Sequence, residues 1–171
     1  MNMNISRRCL HVEEWPQSDQ ALWHAATRKG SIFDDTGPAA LWRAPTRDRT
    51  RQGYGRWLSY MISSEQMHDE QLPHERITPD NVRQYVLCLQ EQVQPWTTWS
   101  YMLSLWVTAR LFRPDDDWCW LYTILAKLQL KRRPASNKRA RMQPAGEIAR
   151  WALRRLDALN QDRIKDTHGT L

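Results

Sequence analysis

Apolar residues recur at helical spacing in two adjacent segments near the middle of the chain. The first segment begins with Thr78 and Pro79, which suit the N-cap and the first helical position, and it stops at Pro95. The second is expected to begin at Thr97 or Thr98. Their apolar stripes consist of Val82, Tyr85, Val86, Leu89 and Val93, and of Trp99, Met102, Leu103, Trp106 and Ala109. The pattern predicts two helices that organise an all-helical domain.

The opposite face of the second helix carries hydroxyl groups and no charge. Its members are Thr97, Ser100, Tyr101, Ser104 and Thr108, with Thr98 at the helix start. Such a face donates hydrogen bonds without bulky charged side chains, which suits close approach to a phosphate backbone or a groove wall. The same pattern also fits packing against another helix, or contact with water.

The same periodicity predicts two helices before this pair. The earlier one is capped by Ser18 or Asp19 and is followed by a loop from which Phe33 and Trp42 are expected to pack onto the core. The later one runs from Pro45 or Thr46 to about Ser63. Its apolar stripe consists of Tyr54, Trp57, Leu58, Met61 and Ile62. A polar loop over residues 64–76 connects it to the central pair.

Four arginines lie on that second predicted helix. Arg49 and Arg56 align on the side away from the apolar stripe, whereas Arg47 and Arg51 project from the N-terminal end. Gly53 and Gly55 each cost about 1 kcal/mol relative to alanine inside a helix. They indicate either close approach of another backbone or two tolerated weak points, and the arginines fit either an anion-binding surface or a solvated face.

An acidic run and a basic run flank the next predicted helix. Asp115, Asp116 and Asp117 suit its first turn because the helix dipole favours negative charge there, and no other ligands lie at a metal-binding spacing. The helix buries Trp118, Leu121, Ile124, Leu125 and Leu128. The basic run after it comprises Lys131, Arg132, Arg133, Lys138, Arg139 and Arg141. This basic run fits a segment that contacts a nucleic-acid backbone along its length, or a segment that is simply solvated.

These segments give an all-α domain of about five to six helices in a compact bundle. We expect a flexible segment over residues 1–16, the helical domain over 17–130, a basic linker over 131–144 and a further helix and tail over 145–171. That last helix is expected to bury four apolar side chains. They are Ile148, Ala152, Leu156 and Leu159.

Charge and composition limit the classes of partner that we expect the protein to bind. The 171 residues carry a net charge of +6, which favours an acidic partner such as nucleic acid. No apolar run reaches the roughly 18 residues that a membrane span needs, so we expect no membrane partner. Three widely spaced cysteines without a CxxC motif suit a reducing, cytoplasmic environment. There is no Gly-rich phosphate loop, so we expect no cofactor and no small-molecule substrate.

Four stretches together resemble the N-terminal core-binding (SAM-like) domain of the tyrosine recombinases, the phage-integrase family. They are TRDRTRQGYGRWLSYM, ITPDNVRQYVLCL, TTWSYMLSLWVTARLFRPDDDWCWL and the basic linker ending in KRAR. The likeness covers about residues 15–159. It implies one jaw of a clamp that closes on duplex DNA, in integrase-like proteins of bacterial mobile elements, with the DNA-bound chain at the nucleoid.

The resemblance also implies which residues contact DNA. The arginine-bearing helix presents Arg47, Arg49, Arg51 and Arg56. The hydroxyl-bearing helix presents Thr97, Thr98, Ser100, Tyr101 and Ser104 in or beside the major groove, and the linker cations bind phosphates. Family members often place a basic residue near the position of Tyr101, so this departure argues against base-specific recognition.

The catalytic residues of the family are absent from the sequence. Tyrosine recombinases use an Arg, a Lys, an HxxR motif and a nucleophilic Tyr in a second domain, and none of the five histidines here is followed three residues later by Arg. We therefore expect a non-catalytic DNA-binding module, with a full-length recombinase as a possible partner. The alternative is a helical protein-interaction or dimerisation module that uses exposed tryptophans and does not bind DNA.

Overall fold

A computed structural model describes residues 8–31, 33–67, 71–131 and 145–168, with side chains as far as residue 159. Within these ranges the protein is all-helical, and the prediction of an all-α fold is confirmed. A 3-10 turn spans Val12–Glu14, and seven α-helices follow. They are α1 (Gln17–Thr27), α2 (Ala44–Ser63), α3 (Pro73–Arg76), α4 (Pro79–Gln92), α5 (Pro95–Phe112), α6 (Cys119–Lys131) and α7 (Ala145–His168).

The core is built around α5, which packs against each of the helices α1, α2, α3, α4 and α6. Met102, Leu105 and Ala109 form its buried apolar side. The α2 residues Tyr54, Trp57, Leu58 and Met61 are buried as the apolar stripe predicts. Ile62 is not, because it lies in the last turn of α2 and borders a surface cavity beside Glu65.

The junction of α4 and α5 is partly as predicted. The Thr78 hydroxyl accepts a hydrogen bond from the Asn81 N–H at 3.3 Å, so Thr78 caps α4, and Pro79 takes the first helical position. The predicted start of α5 is wrong. Gln94 is the N-cap and Pro95 the first helical residue, because a proline that ends one helix also fits the first turn of the next.

A buried ion pair ties α1, α2 and α3 together. Asp19 does not cap α1, whose N-cap is Pro16. Its carboxylate is fully buried, accepts a hydrogen bond from the Tyr54 hydroxyl at 2.6 Å, and forms an ion pair with Arg76. Arg76 lies on α3, within the segment predicted to be a loop.

The residues that precede α1 belong to the core. Leu10, Val12 and Trp15 are buried, and the Trp15 indole N–H donates to the Leu10 carbonyl at 3.1 Å. The prediction of a flexible segment is therefore wrong for residues 8–16. The predicted packing of the following loop is wrong for Phe33, which is 95% exposed, whereas Trp42 is half-buried.

The chain divides into two units, residues 1–133 and 134–171. Helix α7 is the described part of the second unit. Ile148, Leu156 and Leu159 are exposed on it, as is Trp151, while Ala152 is half-buried. The predicted burial of this stripe is wrong for the three larger side chains, since a single amphipathic helix cannot cover its own apolar face.

Candidate nucleic-acid interface

The hydroxyl-bearing face of α5 forms the contact with α2. A Cβ atom added at Gly53 of α2 would lie 2.2 Å from the Ser104 Cβ, so the two helices approach closely at this point. The Ser104 hydroxyl is within hydrogen-bonding distance of the Arg49 carbonyl at 3.3 Å and of the Ser100 carbonyl at 3.2 Å. The small side chains therefore serve a helix crossing.

This crossing corrects part of the predicted DNA-contacting set. Thr98, Ser104 and Thr108 are buried, and the hydroxyls of Thr98 and Thr108 donate to the carbonyls of Gln94 and Ser104, one turn earlier. The expectation that Thr98 and Ser104 contact a DNA groove is wrong, because their hydroxyls are satisfied inside the protein. Thr97, Ser100 and Tyr101 are half-exposed, and Tyr101 lies at the edge of the contact, where it meets Arg56 of α2.

Tyr101 brings an arginine of α2 to this edge. The Arg56 guanidinium carbon lies 5.0 Å from the centre of the Tyr101 ring. Along α2, Arg49 and Arg56 are seven residues apart, which is close to two helical turns, so they project in similar directions. Arg49 is exposed and Arg56 half-exposed. We call Arg49, Gln52, Arg56, Ser100 and Tyr101 the arginine–tyrosine surface.

Arg47 and Arg51 do not belong to this surface. Each helical residue turns the chain by about 100°, so Arg47 projects roughly 200° away from Arg49. Arg51 lies 3.7 Å from Asp48, with which it forms an i,i+3 ion pair. The structure therefore divides the four predicted arginines between two sides of α2.

The segment before α1 runs beside the arginine–tyrosine surface, which the sequence patterns did not predict. The Leu10 N–H donates to the Gly55 carbonyl at 3.3 Å, and the Cys9 thiol donates to the Gln52 carbonyl at 3.2 Å. A Cβ at Gly55 would lie 2.3 Å from the Leu10 carbonyl oxygen. Close approach of another backbone at Gly55 is thus confirmed. Gly55 was the feature of the sequence that could have indicated this contact.

The pKa shifts of Cys9 and Tyr85 show that both residues lie close to Arg56. Burial raises the pKa of the Cys9 thiol, and the nearby positive charges of Arg56 and Arg51 oppose that rise. Burial also raises the pKa of Tyr85. Tyr101 raises this pKa further and the positive charge of Arg56 opposes the rise, so the phenol is neutral at physiological pH. Arg49 and Arg56 carry the positive charge of the arginine–tyrosine surface.

The basic linker can be placed only at its start. Lys131 is the exposed last residue of α6. The remaining predicted linker cations lie outside the described residues. They are Arg132, Arg133, Lys138, Arg139 and Arg141.

Neither a metal-binding cluster nor a membrane-spanning helix occurs in the part of the chain that the structure describes. There, no group of three or more His, Cys, Asp or Glu side chains is arranged to hold a metal ion. None of the described helices is both long enough and apolar enough to cross a membrane.

Comparison with known proteins identified no relative of this chain. No protein-family model, no curated protein and no solved structure matches the chain.

Proposed function

We propose that this chain is a non-catalytic module that binds duplex DNA through the arginine–tyrosine surface and the basic linker. The observation that carries the proposal is the stacking of Arg56 on Tyr101 at 5.0 Å, on the side of α2 that also presents Arg49. Two guanidinium groups about two turns apart on one helix face suit separate contacts with a phosphate backbone.

Stacking prepares Arg56 for this role. A guanidinium held against an aromatic face loses side-chain freedom before it meets a phosphate, so less entropy is lost on binding. A guanidinium can donate two parallel N–H bonds to one phosphate. Charge is also unbalanced here, since residues 43–56 contain five arginines and one acidic residue, Asp48.

The burial of Thr98 and Ser104 limits recognition of DNA sequence. Only Thr97, Ser100 and Tyr101 remain accessible in the hydroxyl-bearing set, and all three are half-exposed. Contacts with phosphates position a protein on DNA without reading bases. We therefore propose largely electrostatic binding with modest sequence preference.

The biological setting that we propose is site-specific recombination of a mobile element. It rests on the four stretches that resemble the core-binding domain of tyrosine recombinases, including the capped helix ITPDNVRQYVLCL. In this setting a full-length recombinase supplies the catalytic residues, and the module acts in the bacterial cytoplasm, on the nucleoid.

Substitution of surface arginines tests the proposal. Fluorescence anisotropy of a labelled duplex would be measured with the full chain, with Arg49→Gln and Arg56→Gln, and with Lys127→Gln, which removes an exposed cation from α6. Loss of one phosphate contact lowers the salt slope by about 0.9, which is about eightfold in affinity at 0.1 M salt.

We expect each arginine variant to lose affinity by this factor on unrelated duplex sequences, and Lys127→Gln to lose little. Equal losses for all three variants would refute the assignment of the surface. Full-strength binding by both arginine variants would refute it as well.

One observation favours the alternative, a protein-interaction module. Helix α7 exposes Ile148, Trp151, Leu156 and Leu159, and exposed tryptophans are frequent anchors at interfaces. Association that depends on protein concentration, survives high salt and occurs without DNA affinity would select this alternative. Sedimentation velocity at low and high salt distinguishes the two.

A further inference from the structure

A second surface feature lies at the other end of α5, where its C-terminal half meets the start of α6. A cavity of about 480 Å³ is lined there by three aromatic side chains, Trp106, Trp118 and Tyr122. The rings of Trp106 and Tyr122 lie 5.4 Å apart, and Tyr122 is 54% exposed. We call this cavity the aromatic pocket. Its volume is within the usual range of ligand-binding clefts.

The aromatic pocket already holds one of the chain's own guanidinium groups. The Arg110 guanidinium carbon lies 5.0 Å from the centre of the Trp106 ring. At the rim, Arg113 donates to both carboxylate oxygens of Asp116, at 3.2 and 3.3 Å. Stacking on an aromatic face and pairing with a carboxylate are the two ways in which proteins bind arginine.

Asp117 adds a second carboxylate to the pocket. One of its oxygens accepts the Cys119 N–H at 2.8 Å, and this hydrogen bond lowers the pKa of Asp117. The carboxylate is therefore ionised at neutral pH. Asp115, Asp116 and Asp117 together outnumber the two guanidinium groups of Arg110 and Arg113, so the rim has a net negative charge that attracts cations.

We infer that the aromatic pocket is the docking site for an arginine side chain of a partner protein. The incoming guanidinium takes the place of Arg110 over Trp106 and pairs with Asp117. Arginine is the charged residue that interfaces favour most as an anchor, and the aromatic walls cover its planar face. This site is separate from the arginine–tyrosine surface and does not depend on DNA binding.

Titration with short peptides tests this inference. The full chain would be labelled with ¹⁵N at tryptophan, and the Trp106 indole signal would be assigned with Trp106→Leu. The probes are Ac-Gly-Arg-Gly-NH₂, its lysine analogue, and its citrulline analogue, which keeps the planar shape without the charge. We expect the arginine peptide to shift the Trp106 signal at millimolar concentration, the lysine peptide to bind more weakly, and the citrulline peptide not to bind.

Two variants and a matched control locate the site. Asp117→Asn and Trp106→Leu should each weaken binding of the arginine peptide by about two- to fivefold. Because Trp106→Leu lacks the Trp106 signal, binding to that variant is followed through the indole signal of Trp118, which lines the same pocket. Trp96→Leu is the control, because Trp96 is also on α5, is 48% exposed and packs its ring on that of Trp99 at 5.4 Å. It should bind as the unmodified chain does.

Three results would overturn the inference. The first is no shift of the Trp106 signal with the arginine peptide. The second is equal binding of the citrulline or lysine peptide, which would show that the guanidinium is not recognised. The third is an equal loss of binding in Trp96→Leu.

Discussion

Replacement of Gly53 by alanine tests the α2–α5 crossing, on which the arginine–tyrosine surface depends. The added Cβ would lie 2.2 Å from the Cβ and 2.6 Å from the Oγ of Ser104. Ser104 Cβ is attached to the α5 backbone and cannot rotate away, so the helices must move apart. Overpacking of this kind costs about 1–3 kcal/mol, and the severity of the overlap favours the upper value.

The opposing term is helix propensity. Alanine is favoured over glycine inside a helix by about 1 kcal/mol. Taking about 3 kcal/mol for the overlap, we expect Gly53→Ala to lower the free energy of unfolding by about 2 kcal/mol. Urea denaturation followed by the fluorescence of the buried tryptophans, Trp57 among them, measures this change.

A second substitution identifies the atom responsible. In a Ser104→Gly background the nearest remaining atom of the pair is the Ser104 Cα, 3.7 Å from the new Cβ, so Gly53→Ala should lose its penalty. In a Ser104→Ala background the penalty should persist, because the Cβ is retained. Stabilisation by Gly53→Ala alone, or the same penalty in all three backgrounds, would refute the proposed contact.

Two further predictions concern stability. Arg76→Met should lower the free energy of unfolding by about 3–5 kcal/mol, because it leaves the buried Asp19 carboxylate without its charge partner. Chemical denaturation at neutral pH would measure the loss, and a change below about 1 kcal/mol would contradict the prediction. Thr78→Ala should cost about 1 kcal/mol, because it removes the acceptor of the Asn81 N–H at the start of α4. Thr78→Ser keeps that acceptor, so a similar loss in both variants would argue against the cap.

Local signals predicted much of the fold. The Thr78 cap and the Tyr54–Met61 stripe are set by neighbouring residues, so the sequence pattern was sufficient. The burial of Asp19 was not predictable in this way, because its partner Arg76 is 57 residues away. An acidic residue near a helix start suits a cap, and only tertiary contacts show that it serves an ion pair instead.

The candidate site was harder to predict for a physical reason. Small hydroxyl-bearing side chains suit both a DNA groove and a tight helix crossing, and periodicity does not distinguish them. The residue that assigns Ser104 to the helix crossing is Gly53 of α2, because its lack of a side chain leaves room for Ser104. The pairing of Arg56 with Tyr101 likewise depends on how the two helices cross, which neither segment reveals alone.

The salt dependence of duplex binding tests the central proposal most directly. Anisotropy of the full chain with a labelled duplex would be measured from low to moderate salt. Contacts from Arg49, Arg56 and two to six linker cations give a slope of log Kobs against log salt between about −4 and −7. Substitution of Lys138, Arg139 and Arg141 by Gln should make the slope shallower by up to about 3. No binding at low salt, or an affinity that salt does not change, would contradict the proposal.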